Sequence, residues 1–167
     1  MIIESRALKY TDNVNTDEII PARYLTTTDA EKLARHCMEG IDPDFLKKVE
    51  EKKILVAGRN FGCGSSREHA ILALKASGVR LVIAVSFARI FFRNSINLGF
   101  PVLESTEAPS SIDEGDKLRV DIGEGKLTNL TKGETYRTSS FPSFLQEIIK
   151  RGGLGGYINV KGKYYPD

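Results

Sequence analysis

The sequence predicts an α/β fold, with a mixed, largely parallel central sheet and antiparallel hairpins towards the C-terminal end. Short apolar runs at 54–57, 81–85 and 101–103 alternate with helix-spaced segments at 67–77 and 87–98. Strand, helix, strand, helix, strand calls for parallel pairing through right-handed crossovers. After Glu107 the turn clusters Asp113-Glu114-Gly115-Asp116, Gly123-Glu124-Gly125 and Lys132-Gly133 cut the chain into short alternating segments. That is the pattern of antiparallel hairpins.

Taken in order, residues 2–10 form a first strand, and residues 11–28 are a polar, turn-rich stretch suited to a working loop. Residues 29–39 have the spacing of a helix, with Asp29 as N-cap and Leu33, Cys37 and Met38 on one buried face. Asp42-Pro43 ends it, and the charged run 47–53 is a solvated helix end. Gly78 and Gly99 stop the two helices between the apolar strands. Residues 117–122 and 135–138 supply hairpin strands. A last amphipathic helix at 142–151 carries Pro142 in its first turn and Gly152-Gly153 beyond its end, leaving a glycine- and tyrosine-rich tail. No internal repeat or low-complexity linker interrupts this order.

With 167 residues and 41% hydrophobic composition, the chain has enough apolar material for one core, so residues 1–167 are expected to form one domain. The 24 basic and 22 acidic residues are interspersed and leave a net charge of +2, which argues against nucleic-acid or membrane surfaces as partners. The opening residues lack a basic stretch leading into an apolar core, and no apolar run approaches the roughly 18 residues that span a bilayer. A cytoplasmic protein is expected. Cys37 and Cys63 lie far apart, and His36 and His69 fall at no ligand spacing, so no metal centre is expected in this chain alone.

The segment with chemical promise is Gly58-Arg59-Asn60-Phe61-Gly62-Cys63-Gly64-Ser65-Ser66-Arg67-Glu68-His69, set between an apolar strand and a helix. Gly62 and Gly64 permit left-handed turns and close backbone approach, and the helix start offers unpaired N–H groups to an anion. A carboxylate suits that place, and Arg67 can add a charge-assisted contact to it. Ser65-x-x-Glu68 is equally a capping box, worth about 1 kcal/mol to a helix. Both uses are compatible, because a capping serine still has a hydroxyl to turn towards a ligand.

Two further words accompany this one: Asn15-Thr16-Asp17-Glu18-Ile19-Ile20-Pro21-Ala22-Arg23-Tyr24-Leu25 and Ser86-Phe87-Ala88-Arg89-Ile90-Phe91. Together the three resemble the small subunits of 3-isopropylmalate dehydratases, relatives of the swivelling C-terminal domain of aconitase. The resemblance implies a swivelling β/β/α domain, and a reaction that moves a hydroxyl between adjacent carbons of a malate derivative through an alkene. It further implies a large partner subunit whose 4Fe–4S cluster binds the substrate hydroxyl and carboxylate. Two separated cysteines cannot supply three cluster thiolates, in keeping with iron held by that partner.

At the matching positions, the resemblance makes Ser65 the base that takes a proton from carbon and Arg67 its electrostatic support. Asp17 becomes the acidic group on the hydroxyl side, and Gly64 and Ser66 join the substrate turn. Asp17 also suits an Asx-turn or helix cap. Specificity is expected in Tyr24, Leu25, Thr26 and Thr27, where relatives acting on homocitrate-like tricarboxylates are expected to carry an arginine. Threonines there leave a third carboxylate unpaired and favour a branched alkyl group. Homoaconitate-type, methylmalate and dimethylmalate substrates stay open, as does Arg23 reaching the same place.

Other residues draw weaker readings. Cys63 has no paired histidine at a motif spacing, and His69 orients or packs within its helix. Arg89 and Arg93 share a helix face, either solvated or against the partner subunit. Phe91 and Phe92 read as core, and Tyr157, Tyr164 and Tyr165 as cover for an edge or an interface. A phosphate- or nucleotide-binding module is the rival from another class, weakened by the absence of GxxxxGK[ST] and GxGxxG. An RNA-binding role would need a basic stripe that is missing, and self-association of the isolated chain stays open.

Overall fold

The computed structural model describes residues 1–161. In chain order its elements begin with β1 (Ile2–Lys9), α1 (Thr16–Ile19), a 3₁₀ turn (Ala22–Tyr24), α2 (Ala30–Arg35), α3 (Phe45–Val49) and β2 (Ile54–Ala57). Then come α4 (Glu68–Ala76), β3 (Leu81–Ala84), α5 (Arg89–Asn97), β4 (Val102–Glu104) and α6 (Ala108–Ser111). The chain continues through β5 (Lys117–Asp121), β6 (Lys126–Asn129), β7 (Glu134–Arg137), α7 (Ser143–Lys150) and α8 (Leu154–Lys161).

The seven strands form one sheet in the order β4-β3-β2-β1-β5-β6-β7. Strands β1 to β4 pair in parallel, and β1, β5, β6 and β7 pair antiparallel. The two halves share β1 by dividing it: residues 2–6 pair with β5 and residues 7–9 with β2. After β7 the chain crosses to the far edge, where the Ser139 N–H donates to the Glu104 carbonyl at 2.7 Å. The two ends of the strand order are thereby drawn together.

Alternate residues of β2 and β3 feed two cores, which is why both strands are apolar throughout. Leu55, Val82 and Val102 pack towards Ile71 and Leu74 of α4 and Leu33 of α2. Ile54, Val56, Leu81 and Ile83 face the other way, against Leu118, Val120 and Leu127 of the antiparallel half. Among the described residues no helix is long and apolar enough to cross a membrane.

Three sequence expectations need correction. The helix expected over 29–39 ends at Arg35, because Met38 takes a left-handed conformation (φ 61°) and donates its N–H to the Ile19 carbonyl at 2.8 Å. The loop expected over 11–28 contains α1 and the 3₁₀ turn. The glycine-rich tail continues as α8, where Gly156 lies so near the end of α7 that a Cβ would sit 2.1 Å from the Arg151 carbonyl oxygen. Tyr157 is half-buried on that helix, whereas Tyr164 and Tyr165 fall outside the described residues.

The β5–β6 hairpin is tied by a buried carboxylate. Asp116 accepts from the Asn129 amide at 2.7 Å and the Asp113 N–H at 2.9 Å, with Lys132 at 3.5 Å. Burial opposes its ionisation, but these donors more than offset it and hold the carboxyl below its ordinary value. A lowered folded pKa stabilises above the unfolded value of about 4, and that stability is lost as pH falls through the folded one. Asp116→Asn should therefore be less stable than the parent at pH 7, with the gap narrowing below about pH 4. Denaturant midpoints measured across that range check it.

Candidate active site

Three chain segments leave the C-terminal ends of β1, β2 and β3 and run on side by side. The first is laced to the second by Asn13 N–H to the Arg59 carbonyl (2.8 Å), Gly62 N–H to Val14 (2.7 Å) and Thr16 N–H to Cys63 (2.9 Å). The second is laced to the third by Phe61 N–H to Ser86 (3.1 Å) and Ala88 N–H to Phe61 (2.9 Å). The words at 15–25, 60–69 and 86–91, distant in sequence, become one surface at the carboxyl ends of parallel strands. That is where open α/β sheets collect their ligands.

The local turns follow from side-chain chemistry. Asn15 caps α1: its Oδ1 accepts from the Glu18 N–H, and Glu18 Oε2 accepts from the Asn15 N–H, each at 2.9 Å. This is the capping box of the region, formed by an asparagine rather than a serine. The one expected from Ser65 to Glu68 does not form. The Ser65 carbonyl is held by the Thr16 hydroxyl at 2.9 Å, and α4 begins only at Glu68, with extended Arg67 (φ −142°) as N-cap and no side-chain cap bond. The Ser65 hydroxyl is consequently exposed and without a hydrogen-bond partner among the described residues.

Aromatic packing sets the opposite wall. Gly62 (φ +78°) lies flat against Phe91, where a Cβ would come within 2.2 Å of the ring carbon Cγ. Phe61 meets the Phe91 ring edge-on at 5.4 Å, and Phe87 stacks on Phe91 at 6.2 Å. The first turn of α5 is thus fixed against the glycine loop. Between them lies a cavity of about 290 Å³, lined by Thr16, Gly62, residues 64–67 and residues 88–91.

Its electrostatics favour an anion. The cavity sits where α4 and α5 start, so first-turn N–H groups and the positive ends of two helix dipoles are at hand. Arg67, only 15% exposed, forms an ion pair through Nη1 with Asp17, which is 59% exposed. Asn94 Nδ2 approaches the Ser66 hydroxyl at 3.5 Å.

Residues 2–107 match the aconitase C-terminal domain family. A 3-isopropylmalate dehydratase small subunit from Moorella thermoacetica is 55% identical over 163 residues, covering 98% of each chain. One from Clostridium beijerinckii is 58% identical over 158 residues, covering 95% of this chain and 98% of its own. The chain belongs to the 3-isopropylmalate dehydratase small-subunit family. A crystal structure of 3-isopropylmalate dehydratase from Methanocaldococcus jannaschii superimposes with a TM-score of 0.90 at 45% identity, over 98% of this chain and 96% of that one. The expected mixed α/β fold is the fold of this family.

Within that family frame, the nine sequence-nominated residues divide. Gly64, Ser65, Ser66 and Arg67 line the cavity, and Asp17 reaches it through its ion pair with Arg67. Tyr24, Leu25, Thr26 and Thr27 do not line it. Tyr24 stacks on His36, with centroids 3.8 Å apart and planes 9° apart, and the Arg23 guanidinium sits 4.8 Å above its ring. Arg23 pairs with Glu39 at 2.5 Å, and His36 Nδ1 meets the same carboxylate at 2.8 Å. Leu25 packs against the core, and the Thr27 hydroxyl accepts from the Asp29 N–H at 3.1 Å.

Cys37 is buried, and burial pushes its thiol up to about 12. His69 packs within α4 with a buried Nε2 that has no partner among the described residues. No group of three or more His, Cys, Asp or Glu able to hold a metal ion gathers among the described residues. Thr16, Ala88, Arg89 and Ile90 line the site although sequence reasoning gave them no part in it. Their signal was positional: each follows a strand, β1 or β3, that ends at the same edge of the sheet.

Proposed function

We propose that this chain, docked on a large subunit that carries a 4Fe–4S cluster, interconverts 2-isopropylmalate and 3-isopropylmalate by dehydration and rehydration, a step of leucine biosynthesis. The observation that carries the reading is the Ser65 hydroxyl, uncapped and exposed beside Arg67 in a cavity at two helix starts. Ser65 Oγ takes the proton from the carbon next to the one bearing the hydroxyl, and in the rehydration that follows returns one to the carbon that lost the hydroxyl. A serine hydroxyl is a poor base near neutral pH, so its oxyanion needs preorganised donors, here the N–H groups at the start of α4 and the Arg67 guanidinium. Asp17 holds one amino group of Arg67, leaving the rest of the fork for the substrate carboxylate. The partner's cluster would supply a Lewis acid for the leaving hydroxyl.

Selectivity against tricarboxylates has physical support in the arginine that could have opposed it. Arg23 is committed to Glu39 and to the face of Tyr24, so it is not free to pair a third carboxylate. Ile90, half exposed at the cavity, offers an apolar surface to a branched alkyl group.

The test follows absorbance of the unsaturated acid, using this chain with and without an anaerobically reconstituted large subunit and offering isopropylmalate, dimethylmalate and homocitrate. Turnover is expected only in the mixture and fastest with isopropylmalate. Turnover by this chain alone would sink the subunit reading, and a preference for homocitrate would sink the substrate reading.

A further inference from the structure

We infer that Arg89 is the second carboxylate-binding cation of this site, gripping one carboxylate of the substrate from the start of α5 while Arg67 works from the start of α4. The inference rests on the reading of the substrate as a malate-type dicarboxylate. Three observations lead to it.

First, Arg89 lines the cavity alongside Ser65, Ser66 and Arg67. Second, its charge is uncompensated. Arg67 is neutralised by Asp17, whereas Arg89 makes no ion pair or hydrogen bond among the described residues and is exposed. A dianion entering the cavity therefore meets one net positive side chain, and that side chain is Arg89.

Third, Arg89 stands where local physics disfavours it. It is the first residue of a nine-residue helix, no acidic side chain accompanies it in the first turn, and the N-cap Ala88 contributes no side-chain bond. A helix N-terminus carries partial positive charge and prefers an anion, so an unpaired arginine there opposes the dipole. A residue that breaks a local rule with no partner among the described residues points to function. An arriving carboxylate satisfies the guanidinium and the first-turn N–H groups together. Arg93, one turn further along, is also exposed but lies outside the cavity lining.

The test uses the reconstituted two-subunit enzyme with Arg89→Ala, Arg89→Lys and, as a charge control, Arg93→Ala. Arg89→Ala should raise KM for isopropylmalate roughly ten- to a hundredfold, the range of a lost charge-assisted contact. It should weaken competitive inhibition by the non-reacting dicarboxylate isopropylsuccinate in parallel. Arg89→Lys should recover part of both losses, and Arg93→Ala neither. The Tm of Arg89→Ala should not fall, since a cation opposed by the dipole is removed, whereas a merely structural role would lower it.

Unchanged KM and inhibition in Arg89→Ala would overturn the inference and leave the proposed reaction standing. A raised large-subunit concentration for half-maximal activity, with KM unchanged at saturation, would overturn it too and make Arg89 a subunit contact. A wild-type mixture inactive on every dicarboxylate would remove the substrate reading and this inference with it.

Discussion

Ser65→Ala should reduce turnover by the reconstituted pair about 10²–10⁴-fold, the usual weight of a positioned general base, while leaving the fold intact. The fold should survive because the hydroxyl caps nothing: α4 starts after Ser65, and the contact that holds this residue is made by its carbonyl, which accepts from the Thr16 hydroxyl. Alanine preserves that carbonyl. The loss should fall on kcat more than on KM, since the carboxylate contacts of the site do not pass through Ser65. Circular dichroism and Tm should match the parent. A large drop in Tm would mean the serine acts structurally, and near-parental kcat would move the base elsewhere.

Gly62→Ala should be the most damaging single methyl group in the loop from Gly62 to Arg67. At φ +78° an alanine costs about 1–2 kcal/mol in backbone strain. Its Cβ would also fall 2.2 Å from Cγ and 2.6 Å from Cβ of Phe91, so the aromatic wall or the loop must shift. Overpacking of that kind adds roughly 1–3 kcal/mol, for a combined loss of about 3 kcal/mol. For a chain of this size that lowers Tm by about 10 °C. Activity should fall further than Tm suggests, because Phe91 and the loop from Gly62 to Arg67 are two sides of one cavity. Gly78→Ala separates the contributions: Gly78 has φ +103°, but a Cβ there would meet nothing within 4 Å, so only backbone strain should appear.

How much of this was legible beforehand differs by element. Ile54–Ala57 and Leu81–Ala84 were plain in the sequence because four consecutive apolar residues, buried on both faces, leave little alternative to a central parallel strand. The helices after them were also legible, with Gly78 and Gly99 marking their ends. α8 was missed because Gly155 and Gly156 resemble loop residues until the end of α7 is placed against them. The Ser65 capping box was a reasonable expectation from spacing. It lost to a long-range bond, Thr16 to the Ser65 carbonyl, that no local pattern contains.

The candidate site divides along the same line. The glycine turn and Arg67 could be nominated from one word, because a glycine turn entering a helix has a local physical meaning, whereas Ser65 as a base came only with the family resemblance. Asp17 could be nominated too, but its hold on Arg67 depends on the lacing of residues 13–16 to residues 59–63. Tyr24, Leu25 and Thr27 stand near Asp17 in the chain yet meet His36, the core and Asp29, and neither they nor Thr26 line the cavity. Arg89 and Ile90 are distant in the chain and line it. Residue order was therefore enough for the strand-and-helix succession, the anion-seeking turn and the family. The composition of the cavity, and which arginine is neutralised and which is left unpaired among the described residues, belonged to tertiary structure, because sheet order decides which strand ends become neighbours and charge pairing acts through space.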